Sequence, residues 1–185
     1  NRGWHSILHL LSSILVFLSC DPAPSDYPAP IMCQIEPYLS RLPYCSDRIH
    51  AAAMYCSAGR VGEHFDDFVQ NGLSLPRYDR IALPGGPGCL AGYPQARLEE
   101  EGVLDEIKFL IEAHGLSRVA LIQHEGCAFY THRLKVRSQS IEQLQKADLC
   151  RAAYALRHWT KLDNIEGYYL RRVAEGMVFE PVELL

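Results

Sequence analysis

The sequence predicts an α/β fold in which a parallel sheet, with its core strands in the order 2-1-3, is covered by helices on both faces. Three observations predict it. Short apolar runs at His50–Tyr55, Tyr78–Leu83 and Arg118–Gln123 alternate with longer stretches whose apolar residues recur at spacings of three and four. That strand, helix, strand, helix, strand order is the mark of a sheet built from crossovers. Right-handed crossovers on opposite faces then place the first strand between the second and the third. Finally, the first and third runs both end in metal-binding residue types: Tyr55 is followed by Cys56, and Gln123 by His124-Glu-Gly-Cys127. Open sheets of this kind bind ligands beyond the carboxyl ends of the strands at the switch point, which here lies between the strands that deliver Cys56 and His124.

Taken in order, residues 1–31 read as a leader or non-native upstream segment, and residues 32–185 as one domain. Ile7–Leu18 is apolar but interrupted by His9, Ser12 and Ser13, and about a dozen residues is too short to span a bilayer. Arg2 before it and Ser19-Cys20 after it give it some signal-peptide character. Asp21–Pro30 carries four prolines and reads as an extended linker. Ordinary globular composition begins at Met32, and Ile35, Leu39 and Leu42 predict a short helix over Cys33–Leu42.

Val61–Gln70 reads as a helix with Val61, Phe65, Phe68 and Val69 on one face. Pro84-Gly-Gly-Pro-Gly88 breaks the second strand, and its glycines suit a loop whose backbone passes close to the site. It matches neither phosphate-binding glycine pattern. Leu98–His114 is the strongest helix, stopped by Gly115, and Ile141–Trp159 is another. Asn164–Val173 and Met177–Val182, joined at Gly176, read as a terminal strand pair or a strand with an extended tail.

Composition narrows the function. A net charge of −4 and a sequence pI near 6.1 supply no basic patch for nucleic acid, and Arg133-Leu-Lys-Val-Arg137 reads as solvated surface. The seven cysteines are odd in number and irregularly spaced, which favours a reducing, cytoplasmic compartment over a disulfide framework. Export by the N-terminal segment is the alternative. No Cys-x-x-Cys is present, which argues against a thiol redox protein.

Cys56, His124 and Cys127 form a candidate zinc site, since three N and S ligands leave a fourth position for water or substrate. Cys89, after the glycine turn, is the candidate that would close the site as a fourth ligand. Cys56-Ser-Ala-Gly-Arg60 followed by His124-Glu-Gly-Cys127 resembles the β-class carbonic anhydrases, whose signature is Cys-x-Asp-x-Arg and then His-x-x-Cys. The resemblance runs from about Ile49 to the C-terminus. It implies a β-carbonic-anhydrase-like fold, Zn2+ as cofactor, attack of zinc hydroxide on CO2 to give bicarbonate or on a related molecule such as COS, and a homodimer or a multiple of dimers.

Two positions depart from that family: Ala58 stands in place of the motif aspartate and Ala128 in place of the glycine after the second cysteine. The resemblance implies that the aspartate accepts a hydrogen bond from the hydroxide, or closes onto the metal, while Arg60 holds it. Without it Arg60 is left to Glu63, Asp66, Glu125 or a substrate anion, or to a purely structural ion pair. His64, Tyr130 and His132 are candidate proton carriers. Two functions stay open: a zinc lyase, or a zinc-binding pseudoenzyme that holds an anion or a protein partner without turnover.

Overall fold

The computed structural model describes residues 36–184; the expected leader, the proline-rich linker and Met32 lie outside them. Cys45–Leu185 folds as one unit. The short helix expected over Cys33–Leu42 does not form in its described part, Glu36–Leu42, which has no helical turn. Leu39 and Leu42 stay exposed, so the described part of the stripe gains no burial, and a lone helix of that length is marginal in water. Pro43 also biases Leu42 away from helical backbone.

In the folded unit β1 (Ala51–Cys56), β2 (Asp79–Leu83), β3 (Arg118–His124), β4 (Ile165–Val173) and β5 (Gly176–Val182) form one sheet in the order β2-β1-β3-β4-β5. The predicted 2-1-3 core is thus present. Neighbours pair in parallel up to β4, and β5 returns antiparallel as the second half of a hairpin. β1 is buried on every residue, and β3 on all but Arg118, as a sheet covered on both faces requires.

The helices are α1 (Gly62–Asp67), α2 (Arg97–His114) and α3 (Ile141–Thr160). α1 is shorter than the sequence predicts because its last turn widens into a π turn over Phe68–Gly72. Alternate strand residues serve opposite faces. Ala52, Met54, Cys56, Val119 and Leu121 join the cluster formed with Val103, Ile107 and Leu110 of α2 and Leu149, Ala152 and Leu156 of α3. Ala53, Tyr55, Ala120 and Ile122 pack on Phe65 and Val69 on the other side. Among the described residues no helix is long and apolar enough to cross a membrane.

Candidate metal centre

Because β1 and β3 are adjacent and parallel, their last residues emerge at the same edge of the sheet. Cys56 ends β1, His124 ends β3, and Cys127 follows after a turn in which Gly126 takes a positive φ. All three side chains are buried, and their ligand atoms lie within 4.8 Å of one another. The Cys127 Sγ sits 3.7 Å from the Cys56 Sγ. Two thiolates on a tetrahedral zinc, each at about 2.3 Å, stand roughly 3.8 Å apart, so the sulfurs are already spaced for one ion.

The histidine is prepared in the same sense. Its Nδ1 donates to the Glu125 carbonyl at 2.8 Å, because a carbonyl can only accept, and this leaves the Nε2 lone pair of the neutral ring unused. That Nε2 is buried with no hydrogen-bond partner. An orphaned buried nitrogen is costly, and a backbone carbonyl on the other ring nitrogen is the usual arrangement of a metal-ligating histidine. The donor set, one imidazole and two thiols, suits zinc.

The two thiols are strongly unlike. The hydrogen bond from Cys127 is the largest influence on Cys56, and together with the nearby His124 ring and the Gly85 N–H it outweighs burial and brings Cys56 down to about 4. The same sulfur contact, added to burial, pushes Cys127 up. A metal would displace the proton that they share.

The glycine loop after β2 explains the close packing here. A Cβ on Gly86 would stand 2.7 Å from the Tyr55 carbonyl carbon and 2.8 Å from the Cys56 nitrogen, at a φ of +49°. A Cβ on Gly88 would meet the Tyr130 hydroxyl at 2.5 Å. The backbone does pass against the site, as the Gly-Pro composition predicts.

Behind the ligands lies a buried polar network that sequence reasoning missed. The Gln145 Nε2 donates to the His124 carbonyl at 2.8 Å and to the Gln123 Oε1 at 3.3 Å, and the Tyr169 hydroxyl donates to the Gln145 Oε1 at 3.2 Å. The Gln123 Nε2 reaches the Gly85 carbonyl at 3.2 Å and the Tyr130 hydroxyl at 2.9 Å. Tyr130 in turn donates to Asp148 at 2.8 Å, and Tyr93 and Arg151 donate to the same carboxylate. Burial raises the Asp148 carboxyl, and its three donors act against that rise. The signal in the sequence was the polar pair Gln145 and Asp148 on the stripe of Ile141, Leu149, Ala152 and Leu156.

In front of the ligands a small cleft of about 160 Å3 is lined by Arg60, Val61, His64, His124, Glu125, Gly126, Arg172 and Met177. Drug-sized sites start near 300 Å3, so this one suits a ligand of a few atoms. Arg60 is exposed and reaches none of its expected partners. Asp66 is taken by Tyr78, Arg80 and Tyr55, and Glu125 accepts the Arg172 backbone N–H at 2.9 Å. Ala58 is half-buried against the cluster that includes Cys56 and Cys127.

Of the proton-carrier candidates, His64 lines the cleft, Tyr130 is tied into the buried network, and His132 is exposed outside it. Cys89 is buried but is not among the clustered ligand atoms. Burial first, then Glu100 and Glu99, pushes its thiol up to about 12, the state of an inert core cysteine.

The fold and site define an α/β protein with a Cys-His-Cys cluster of metal-binding type at a sheet switch point. Residues 46–182 match the family described as "Putative carbonic anhydrase", and the chain belongs to that family. No curated protein matches the sequence. Solved structures with similar architecture include a β-carbonic anhydrase of Trichomonas vaginalis, at 14% identity and a TM-score of 0.46 over 77% of this chain and 87% of that one. A carbonic anhydrase of Streptococcus mutans aligns at 14% identity and 0.48, over 74% and 82%. One of two tetrameric β-carbonic anhydrases of Sordaria macrospora aligns at 10% and 0.45, over 73% and 81%.

Proposed function

We propose that this protein is a zinc-dependent lyase of carbonic anhydrase type, which hydrates CO2 or a related small molecule such as COS. The observation that carries the reading is the buried, partnerless His124 Nε2 facing two cysteines whose sulfurs are spaced for one ion. Cys56, His124 and Cys127 would hold the zinc, which supplies Lewis-acid activation of water for attack on an electrophilic carbon.

The protein's own residues then do the rest. Val61 and Met177 give the small cleft apolar wall suited to a neutral triatomic substrate. Arg60 brings positive charge where an anionic product forms, and His64, which lines the same cleft, would carry a proton to solvent. The Gln145 bond to the His124 carbonyl and the Gly85 N–H on Cys56 hold two of the ligands in place.

Ala58 favours a second reading, a zinc-binding pseudoenzyme, because no carboxylate of the first motif can orient water here. Loss of one such partner typically costs about ten- to a hundredfold. Slow hydration is therefore expected in the parent, with a rise of that order in Ala58→Asp. The test is stopped-flow CO2 hydration on both proteins, each assayed for about one zinc per chain. Equal rates with zinc fully loaded in both would show that position 58 does not face the metal. A homodimer or a multiple of dimers belongs to the same reading, since closed two-fold assemblies are the commonest. A monomeric mass by light scattering at micromolar concentration would refute it.

A further inference from the structure

Arg60 precedes α1, Arg172 sits near the end of β4, and both line the cleft in front of His124. Neither guanidinium makes an ion pair or a side-chain hydrogen bond to any described residue. Other arginines behave differently: Arg171 bonds Glu180 at 2.5 Å, Arg80 bonds Asp66 at 3.2 Å, and Arg118 takes both oxygens of Glu166. Strand alternation separates Arg171 from Arg172, which pairs in register with Met177, another lining residue.

The charges are out of balance. Among the residues that line the cleft, the two guanidiniums supply two positive charges and Glu125 supplies one negative charge. One positive charge is left over. Glu125 cannot swing freely to quench it, because its Oε2 is committed to the Arg172 backbone N–H. A guanidinium presents a planar fork that matches a carboxylate or carbonate edge, and the cleft admits only a few atoms.

We propose that Arg172 is a binding residue of this site: with Arg60 it forms a two-guanidinium receptor for one small planar monoanion of the carboxylate or bicarbonate class. The inference rests on reading the cleft as the approach to the metal centre. Arg60 is released for this task by Ala58, and Arg172 adds a second fork to the same cleft. The receptor is made of protein side chains alone, so it persists without the metal.

The experiment is calorimetric titration of sodium formate into the full chain, both zinc-loaded and metal-free, at low ionic strength. In the metal-free protein formate has no ion to bind, so that arm isolates the arginines. Formate should bind the metal-free parent, and Arg172→Gln should weaken it by roughly three- to tenfold, between the limits for exposed and for charge-assisted contacts. Arg172→Lys should fall between them, because it keeps the charge and loses the fork. Arg171→Gln should bind like the parent. Undetectable binding by the metal-free parent, or equal affinity in the parent and Arg172→Gln, would overturn the proposal. Failure of the parent to take up zinc would instead refute the metal centre, while the metal-free arm still judges the receptor.

Discussion

Gln145→Met tests the scaffold of the site most directly. Methionine keeps the length and volume of glutamine and is tolerated in cores, so the substitution removes hydrogen bonds and little else. Three are lost: to the His124 carbonyl, to the Gln123 Oε1 and from the Tyr169 hydroxyl. Gln123 is wholly buried and Tyr169 nearly so, and the Gln123 oxygen and the Tyr169 hydroxyl make no other hydrogen bond with described residues. Each buried group left unsatisfied costs about 1–3 kcal/mol. Two such groups, less what the apolar side chain regains, give an expected loss of about 2–4 kcal/mol.

The assay is urea unfolding, read as a lower midpoint at unchanged slope. A competition titration with a zinc chelator should also show weaker binding, by up to about tenfold, as His124 loses the bond that fixes its carbonyl. A loss below about 1 kcal/mol with the slope unchanged would show that water replaces the side chain there and that the network does not hold the ligand.

Further outcomes can be checked independently. Cys56→Ala and His124→Ala should each abolish stoichiometric zinc, since a three-ligand site cannot spare a strong donor; full zinc by metal analysis in either would refute the ligand set. Gly86→Ala should destabilise the fold by several kcal/mol and lower zinc uptake, because its Cβ would press on the backbone between Tyr55 and Cys56; an unchanged thermal midpoint would count against that packing. Glu166→Gln should lower stability at pH 7 by about 1 kcal/mol, as expected for a two-pronged, partly buried ion pair. Burial alone would raise the Glu166 carboxyl, but the Arg118 and Tyr168 bonds overrule it and hold it low. Its stabilising effect is therefore present above the unfolded value near 4.5 and lost as pH falls through the lower folded value. The difference between the parent and Glu166→Gln should vanish in that acid window, and a gap constant from pH 7 downwards would refute it.

The features legible in the sequence were those written in local pattern. Buried strands announce themselves as apolar runs, crossover handedness orders three of them, and Cys56, His124 and Cys127 fall at strand ends where parallel topology must bring them together. What escaped depends on where distant segments land. Gln145 and Asp148 are ordinary helix residues until α3 lays them against Gln123 and Tyr130. Arg172 joins the cleft only because β4 pairs with β3 in a register that sets Leu170 beside His124. The helix expected over Cys33–Leu42 is absent from its described part, Glu36–Leu42, for the converse reason, since its spacing described a face without saying whether anything would cover it.

That contrast bears on Ala58. A lost motif carboxylate, taken alone, looks like decay of the site, yet decay would leave the surroundings free to drift. The opposite is found around the ligands. Gln145, Gln123, Tyr130 and Asp148 are fully buried and bonded in sequence behind the centre, a satisfied network that holds the His124 carbonyl in place. Arg60, left without the partner its motif implies, still lines the cleft beside His124. The arrangement fits a site whose acceptor now arrives with the ligand, and in that case the affinity for a small anion should fall in Ala58→Asp even as the hydration rate rises. The two measurements made on one variant test this: a hydration rate that rises while the anion affinity stays unchanged would refute an acceptor that arrives with the ligand.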